Sequence, residues 1–151
     1  MARSDPPTKL WKKFPLLIIP VAIYHGLILA EHFAGIPLLT VPFLKIVLPS
    51  QAPFSVTIAQ ALVALGVLIL YFEVTKSVHP DSRSVAEHVF STFLLVGMVV
   101  EFLLVKSAGT PYFLILGIMQ LVDVLCGFSV GIGAAKKDIE IGPVGGQNIL
   151  S

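Results

Sequence analysis

Four polar or ionisable residues fall within otherwise apolar stretches of the sequence: His25, Glu101, Gln120 and Asp123. Such side chains are costly inside a bilayer and usually have a function there. A rise of about 1.5 Å per residue, counted from the ends of the stretches, puts His25 and Asp123 at one level near the midplane. By the same count Gln120 lies one turn from Asp123, and Glu101 lies close to the outer surface. We therefore expect an intramembrane polar cluster in which an Asp–His pair joins helices, relays protons or contacts a ligand.

A second set of ionisable residues lies close to the ends of the apolar stretches and comprises Glu31, His32, Glu73, Glu87 and His88. We expect them to be solvated groups at the headgroup level; the alternative is that Glu73, Glu87 and His88 serve a membrane enzyme. Bis-histidine haem ligation needs two imidazoles at one level, and no two histidines match in depth. Neither a cofactor nor a metal site is therefore expected.

These residues are carried by four apolar stretches at 14–33, 56–74, 85–105 and 112–135. Hydrophobic residues make up 56% of the 151-residue chain and charged residues only 13%, whereas a soluble domain has about 25% charged residues. Each stretch has about the 20 residues that a helix needs to cross a bilayer. The pattern predicts an all-α integral membrane bundle of four transmembrane helices over residues 14–135.

Residues 36–49 follow the first stretch and are apolar, but they contain Pro37, Pro42 and Pro49 with Lys45 between them. A run this short is more typical of an interfacial or re-entrant segment than of a transmembrane helix, and proline interrupts a helix. We expect a short interfacial element here, at the membrane surface or dipping between helices.

Gly127 and Gly131, four residues apart in the last stretch, match the small-xxx-small pattern that allows two helix backbones to approach closely. The pattern is common in apolar helices. It predicts a helix-packing contact, within the bundle or with another chain.

Lysine and arginine are distributed unevenly between the two ends of the predicted helices. Eight lie on one side and only Lys45 and Lys106 lie on the other; the eight are Arg3, Lys9, Lys12, Lys13, Lys76, Arg83, Lys136 and Lys137. The positive-inside rule predicts a cytoplasmic N-terminal segment, 1–13, and a cytoplasmic C-terminal tail, 136–151. The short chain and this clean bias favour the bacterial inner membrane.

Hydrolase, nucleotide-binding and Cys-x-x-Cys signatures are absent from the sequence. The net charge of +1 does not favour a nucleic-acid partner. We expect a non-catalytic subunit or scaffold of a membrane complex, whose partners are membrane lipid and other subunits or further copies of the chain. The alternatives are a small proton-coupled carrier that uses the Asp123–His25 pair and a lipid- or quinone-handling enzyme.

Overall fold

The structure is a computed structural model that describes residues 15–77 and 85–140; at 76–77, 85–86 and 134–140 it describes the backbone alone. Within these ranges the chain forms helices α1 (Ile18–Ala34), α2 (Ile58–Ser77), α3 (Val85–Leu104) and α4 (Pro111–Glu140), and strands β1 (Pro42–Val47) and β2 (Pro53–Thr57). The predicted segment 1–13 and the part of the predicted tail from residue 141 lie outside the described residues. Helix α4 runs five residues beyond the predicted boundary at Ala135.

Three of the described helices are long and apolar enough to cross a membrane, with apolar windows at Ile58–Thr75, Glu87–Leu104 and Pro111–Gly133. Helix α1 is apolar but has only 17 residues. Many large apolar side chains of all four helices face outward, as expected where lipid is the solvent. The chain is therefore a mostly helical membrane protein with at least three candidate spans.

Local signals explain where α1 ends and α2 begins. Gly35, at φ 67°, takes the left-handed conformation, and its amide donates to the Glu31 carbonyl oxygen at 2.9 Å; glycine tolerates this conformation at a helix end better than other residues. At α2 the Thr57 hydroxyl accepts from the Gln60 amide at 3.3 Å, and the Gln60 side-chain oxygen accepts from the Thr57 amide at 2.8 Å. This reciprocal capping box starts the helix at Ile58, two residues after the predicted start.

The prediction of an all-α chain is wrong for the segment between α1 and α2. After a 3-10 turn at Leu38–Thr40, strands β1 and β2 pair as an antiparallel hairpin. Each strand opens with a proline, a position where a missing amide is tolerated, and β-branched and aromatic residues favour the extended conformation that follows. The predicted Pro-rich segment 36–49 thus contains strand β1, which pairs with β2.

Helix α4 packs against both α2 and α3, and α1 packs mainly against α2. We call the end of the bundle that carries the hairpin and the α3–α4 turn the hairpin end, and the end where α2 finishes and α3 begins the tail end. A set of buried apolar side chains from all four helices forms the core, comprising Leu17, Val21, Tyr24, Leu39, Ala59, Leu62, Met98, Ala108, Phe113, Leu116 and Met119.

Candidate functional site

Two buried polar contacts join α3 to α4. The Ser91 hydroxyl donates to a carboxylate oxygen of Asp123 at 3.0 Å, and the Gln120 side-chain amide donates to the Ser91 carbonyl oxygen at 3.1 Å. Gln120 and Asp123 are both 0% exposed. Both belong to α4 and lie one turn apart, so one face of α4 meets one residue of α3. We call these three residues the α3–α4 polar contact.

A second polar contact joins α1 to α3. The His25 Nε2 atom pairs with a carboxylate oxygen of Glu101, while the His25 Nδ1 atom lies 2.7 Å from the Val21 carbonyl oxygen. A carbonyl oxygen only accepts, so Nδ1 carries a proton. The contact between Nε2 and the carboxyl group then requires a second proton between them, on either partner. The His25–Glu101 pair therefore shares a proton, and its side chains are 44% and 27% exposed.

The structure does not bring His25 and Asp123 to one level. Asp123 contacts Ser91 and His25 contacts Glu101, and these two α3 residues are about 15 Å apart along the helix. The predicted depths of His25 and Asp123 assumed that each apolar stretch begins and ends at the edges of the hydrocarbon core. Helix α1 instead starts beside Glu73, before the end of α2, because the Leu16 amide donates to the Glu73 carboxylate. The four predicted cluster residues thus divide into two separate contacts.

Tyr24 helps to position α1 along the bundle, although it was not among the predicted site residues. Its hydroxyl donates to the Ser107 carbonyl oxygen at 2.8 Å and lies 2.8 Å from the Thr110 hydroxyl. Thr110 also caps α4, accepting from the Phe113 amide at 3.2 Å, and Pro111 occupies the first helical position. Since Ser107 and Thr110 belong to the α3–α4 turn, Tyr24 fastens α1 at the hairpin end. The feature of the sequence that could have identified Tyr24 is its position beside His25 in an otherwise apolar run.

The interfacial candidates at the tail end are less solvated than the sequence suggested. Glu73 and Glu87 are only 2% and 7% exposed. Glu73 is buried because it accepts from the Leu16 amide, one of the donors that a helix start leaves unsatisfied. The carboxylates of this end therefore take part in packing.

His88 lies on α3 one residue after Glu87 and is half-buried. Its ring stacks on Phe128 of α4, with ring centroids 5.3 Å apart and planes inclined by 12°. These two rings border an apolar groove of about 400 Å³ that also includes Thr92, Phe93 and Val96. The groove opens on the surface of the bundle, and its lining is mainly apolar.

The interfacial candidates of the hairpin end differ from each other. Glu31 is half-buried, and its carboxylate accepts from the Leu39 amide at 2.6 Å, which fixes the 3-10 turn after α1. His32 is exposed, and its ring meets Phe33 edge-on at 5.7 Å. Of these two residues, His32 is the more exposed.

Side chains of α4 pack closely against α2 at a glycine outside the predicted Gly127–Gly131 pattern. A Cβ atom on Gly66 of α2 would lie 2.9 Å from Leu116 and 3.1 Å from Met119, both on α4. Gly127 is buried, whereas a Cβ on Gly131 would meet no described atom within 4 Å. Gly66 was missed because it has no second small residue four positions away.

Within residues 15–77 and 85–140, no three His, Cys, Asp or Glu side chains come together as ligands of a metal ion. Chemically, the described site can join helices through buried hydrogen bonds and can exchange a proton between His25 and Glu101. Comparison of the chain with protein-family models, with curated proteins and with solved structures finds no match. Function must therefore be argued from these contacts.

Proposed function

We propose that all four helices cross the membrane. Helix α1 has 17 residues, a length of about 26 Å, which is within the range of transmembrane helices. Ile18, Ile19 and Leu29 are exposed on its surface, where they would contact water if α1 lay outside the bilayer. Lipid around α1 makes this surface favourable.

An even number of crossings places both chain ends on one side of the membrane. The excess of lysine and arginine near the tail end supports a cytoplasmic location for that side. We assign the protein to the inner membrane of a bacterium with this orientation. Fluorescent fusions at either terminus should both report a cytoplasmic location, and opposite locations would contradict four crossings.

Within the membrane, we propose that the protein is a non-catalytic subunit or scaffold. One observation carries this proposal: Ser91, Gln120 and Asp123 are buried and hydrogen-bonded between α3 and α4. Polar groups in such positions join helices, each contributing about 0.6 to 2 kcal/mol. A broad apolar surface remains on all four helices for lipid, other subunits or further copies of the chain.

The contact between the titratable side chains of His25 and Glu101 is the observation that favours a proton-coupled carrier instead. Such a carrier requires titratable groups that connect the two membrane surfaces. His25 and Asp123, the predicted pair, occupy separate contacts about 15 Å apart along the axis. The scaffold hypothesis therefore has the better support, and the third alternative, a lipid- or quinone-handling enzyme, rests only on the groove beside His88.

Native mass spectrometry of the protein extracted from its own membrane, combined with a flux assay, separates these hypotheses. We expect a stoichiometric complex with a second membrane subunit or with further copies of the chain. Purified protein in liposomes is expected to leave a proton gradient intact.

Gradient-driven proton flux that disappears in Glu101→Gln and persists in the control variant Ser129→Ala would establish the carrier instead. Ser129 is exposed and its hydroxyl bonds only to its own helix at Leu125, so the control removes a hydroxyl without an interhelical contact. A monomer without a partner would contradict the scaffold hypothesis.

A further inference from the structure

The two strands of the hairpin present chemically different faces. The cross-strand pairs Leu44–Val56 and Ile46–Phe54 alternate with the pairs Lys45–Ser55 and Val47–Pro53, and successive side chains of a strand point to opposite faces. Leu44, Ile46, Phe54 and Val56 therefore share one face, which we call the apolar hairpin face. Lys45, Val47, Pro53 and Ser55 lie on the other, mixed face, which we call the Lys45 face; Val47 on it is 69% exposed.

The apolar hairpin face has no cover within the described chain. Leu44, Ile46 and Phe54 are 43%, 43% and 44% exposed, although leaving such side chains in water costs about 25 cal/mol per Å² of apolar surface. Among the described helices, the hairpin packs mainly against α2. Something outside the described residues must cover this face.

The position of the hairpin indicates what covers it. The Ile58 amide donates to the Val41 carbonyl oxygen at 3.0 Å, which fixes the base of the hairpin to the first residue of α2. The apolar window of α2 begins at that same residue, Ile58. The exposed apolar side chains of Leu29 and Phe33 continue the apolar surface along α1. The hairpin therefore starts where the lipid-facing surface of the bundle ends.

The open edges of the hairpin limit its depth. A two-stranded sheet leaves unpaired amide and carbonyl groups along both outer edges, and these groups are not tolerated in the hydrocarbon core. Upright, a six-residue strand would extend about 20 Å into water and would expose its apolar face. If the hairpin instead lies parallel to the membrane surface, its apolar face is buried about 5–10 Å deep in the interface, and the backbone groups along its edges stay hydrated.

We propose that the hairpin binds the lipid surface of the leaflet at the hairpin end, with the apolar hairpin face toward the acyl chains and the Lys45 face toward the headgroups. This inference rests on the proposed membrane-spanning bundle. The Lys45 ammonium then lies among lipid phosphates, where a basic side chain contributes about 1 kcal/mol of attraction in an anionic membrane. The hairpin fixes the level of the link between α1 and α2 relative to the bilayer.

Neighbouring residues of opposite faces provide a matched test. In a Cys126→Ala background, single cysteines are introduced as Phe54→Cys, Ser55→Cys, Ile46→Cys and Lys45→Cys, and each is spin-labelled in liposomes of phosphatidylcholine and phosphatidylglycerol. Power saturation compares collision with oxygen, which concentrates in lipid, and with a water-soluble nickel chelate. We expect the oxygen-to-nickel ratio to be several-fold higher at Phe54 and Ile46 than at Ser55 and Lys45.

A fifth label, at Leu68→Cys, separates failure of this inference from failure of the proposed topology. Leu68 is exposed in the middle of α2, so its label should lie in lipid whatever the hairpin does. Water exposure at Leu68 would refute the membrane-spanning bundle. Lipid exposure at Leu68, with equal and high nickel collision at all four hairpin positions, would refute the hairpin proposal alone.

A second copy of the chain is the competing occupant of the apolar hairpin face. In that case the labels at Phe54 and Ile46 would lose collision with both reagents, and spin–spin broadening would increase with the protein-to-lipid ratio. That result would overturn lipid binding. Gel filtration and circular dichroism of each variant confirm that the labelled proteins keep the fold of the parent.

Discussion

Helices α2, α3 and α4 are joined differently from α1. Between α4 and its two neighbours the contacts are buried: Gly66 on one side, and Ser91 with Asp123 on the other. Helix α1 is joined to α3 through a partly exposed His25–Glu101 pair and to the α3–α4 turn through Tyr24. Because buried contacts contribute more than exposed ones, the His25–Glu101 contact should contribute less to the stability of the bundle than the Ser91–Asp123 contact.

The largest effect is expected from Gly66→Leu. The added side chain would collide with Leu116 and Met119, and overpacking of this kind costs about 1–3 kcal/mol of unfolding free energy. Thermal unfolding in detergent should show a clearly lowered midpoint. The matched control is Gly97→Leu on α3, where a Cβ meets no described atom within 4 Å. An equal loss in both variants would mean that α2 and α4 do not approach closely.

The α3–α4 polar contact is expected to give the next largest effect. Ser91→Ala, Asp123→Asn and the double variant form a cycle whose coupling energy should be about 1 kcal/mol, as for other interhelical hydrogen bonds in membranes. Unfolding free energies from titration with a denaturing detergent provide the measurement. Ser129→Ala should change little, because its hydroxyl bonds within α4. A coupling energy of zero would show that the side chains of Ser91 and Asp123 do not interact.

Tyr24→Phe tests the attachment of α1 at the hairpin end. The variant loses the hydrogen bonds to Ser107 and Thr110, with an expected cost of about 1 kcal/mol. Amide hydrogen exchange should increase in α1 and remain unchanged in the middle of α4. Tyr71→Phe is the control, since Tyr71 is exposed on α2. Uniform acceleration in all helices would show that α1 is part of the same cooperative unit.

The smallest effect is expected from the His25–Glu101 pair. Both side chains are partly exposed, and such pairs contribute about 0–1 kcal/mol. Glu101→Gln should lower the unfolding free energy by less than Ser91→Ala does, with His32→Gln as the control for an exposed histidine. If Glu101→Gln lowered the unfolding free energy more than Ser91→Ala does, the His25–Glu101 pair would stabilise the bundle more than the α3–α4 polar contact, contrary to this prediction.

Much of the helical part of the fold could be predicted from the chain. The predicted stretches 56–74, 85–105 and 112–135 correspond to α2, α3 and α4 within a few residues, except at the C-terminal end of α4. A helix satisfies its backbone hydrogen bonds locally, so a sufficiently long run of apolar residues is enough to locate a membrane helix. The hairpin was missed because strand pairing joins residues that are distant in sequence, such as Leu44 and Val56.

The candidate site could be predicted only as a set of residues. His25, Glu101, Gln120 and Asp123 do make polar contacts between helices. Their partners differ from the prediction, because Tyr24 and Leu16 determine where α1 lies along the bundle. Such an axial offset changes no residue type or spacing, so no pattern in the chain records it.

Residue type and order alone determine that this protein has long apolar helices and, within a few residues, where α2, α3 and α4 begin. These properties depend on local hydrogen bonding and on transfer from water to lipid. Tertiary packing decides that His25 pairs with Glu101, that α2 meets α4 at Gly66, and that residues 42–57 form a hairpin. Each of these depends on the relative position of two distant segments, which only the folded bundle defines.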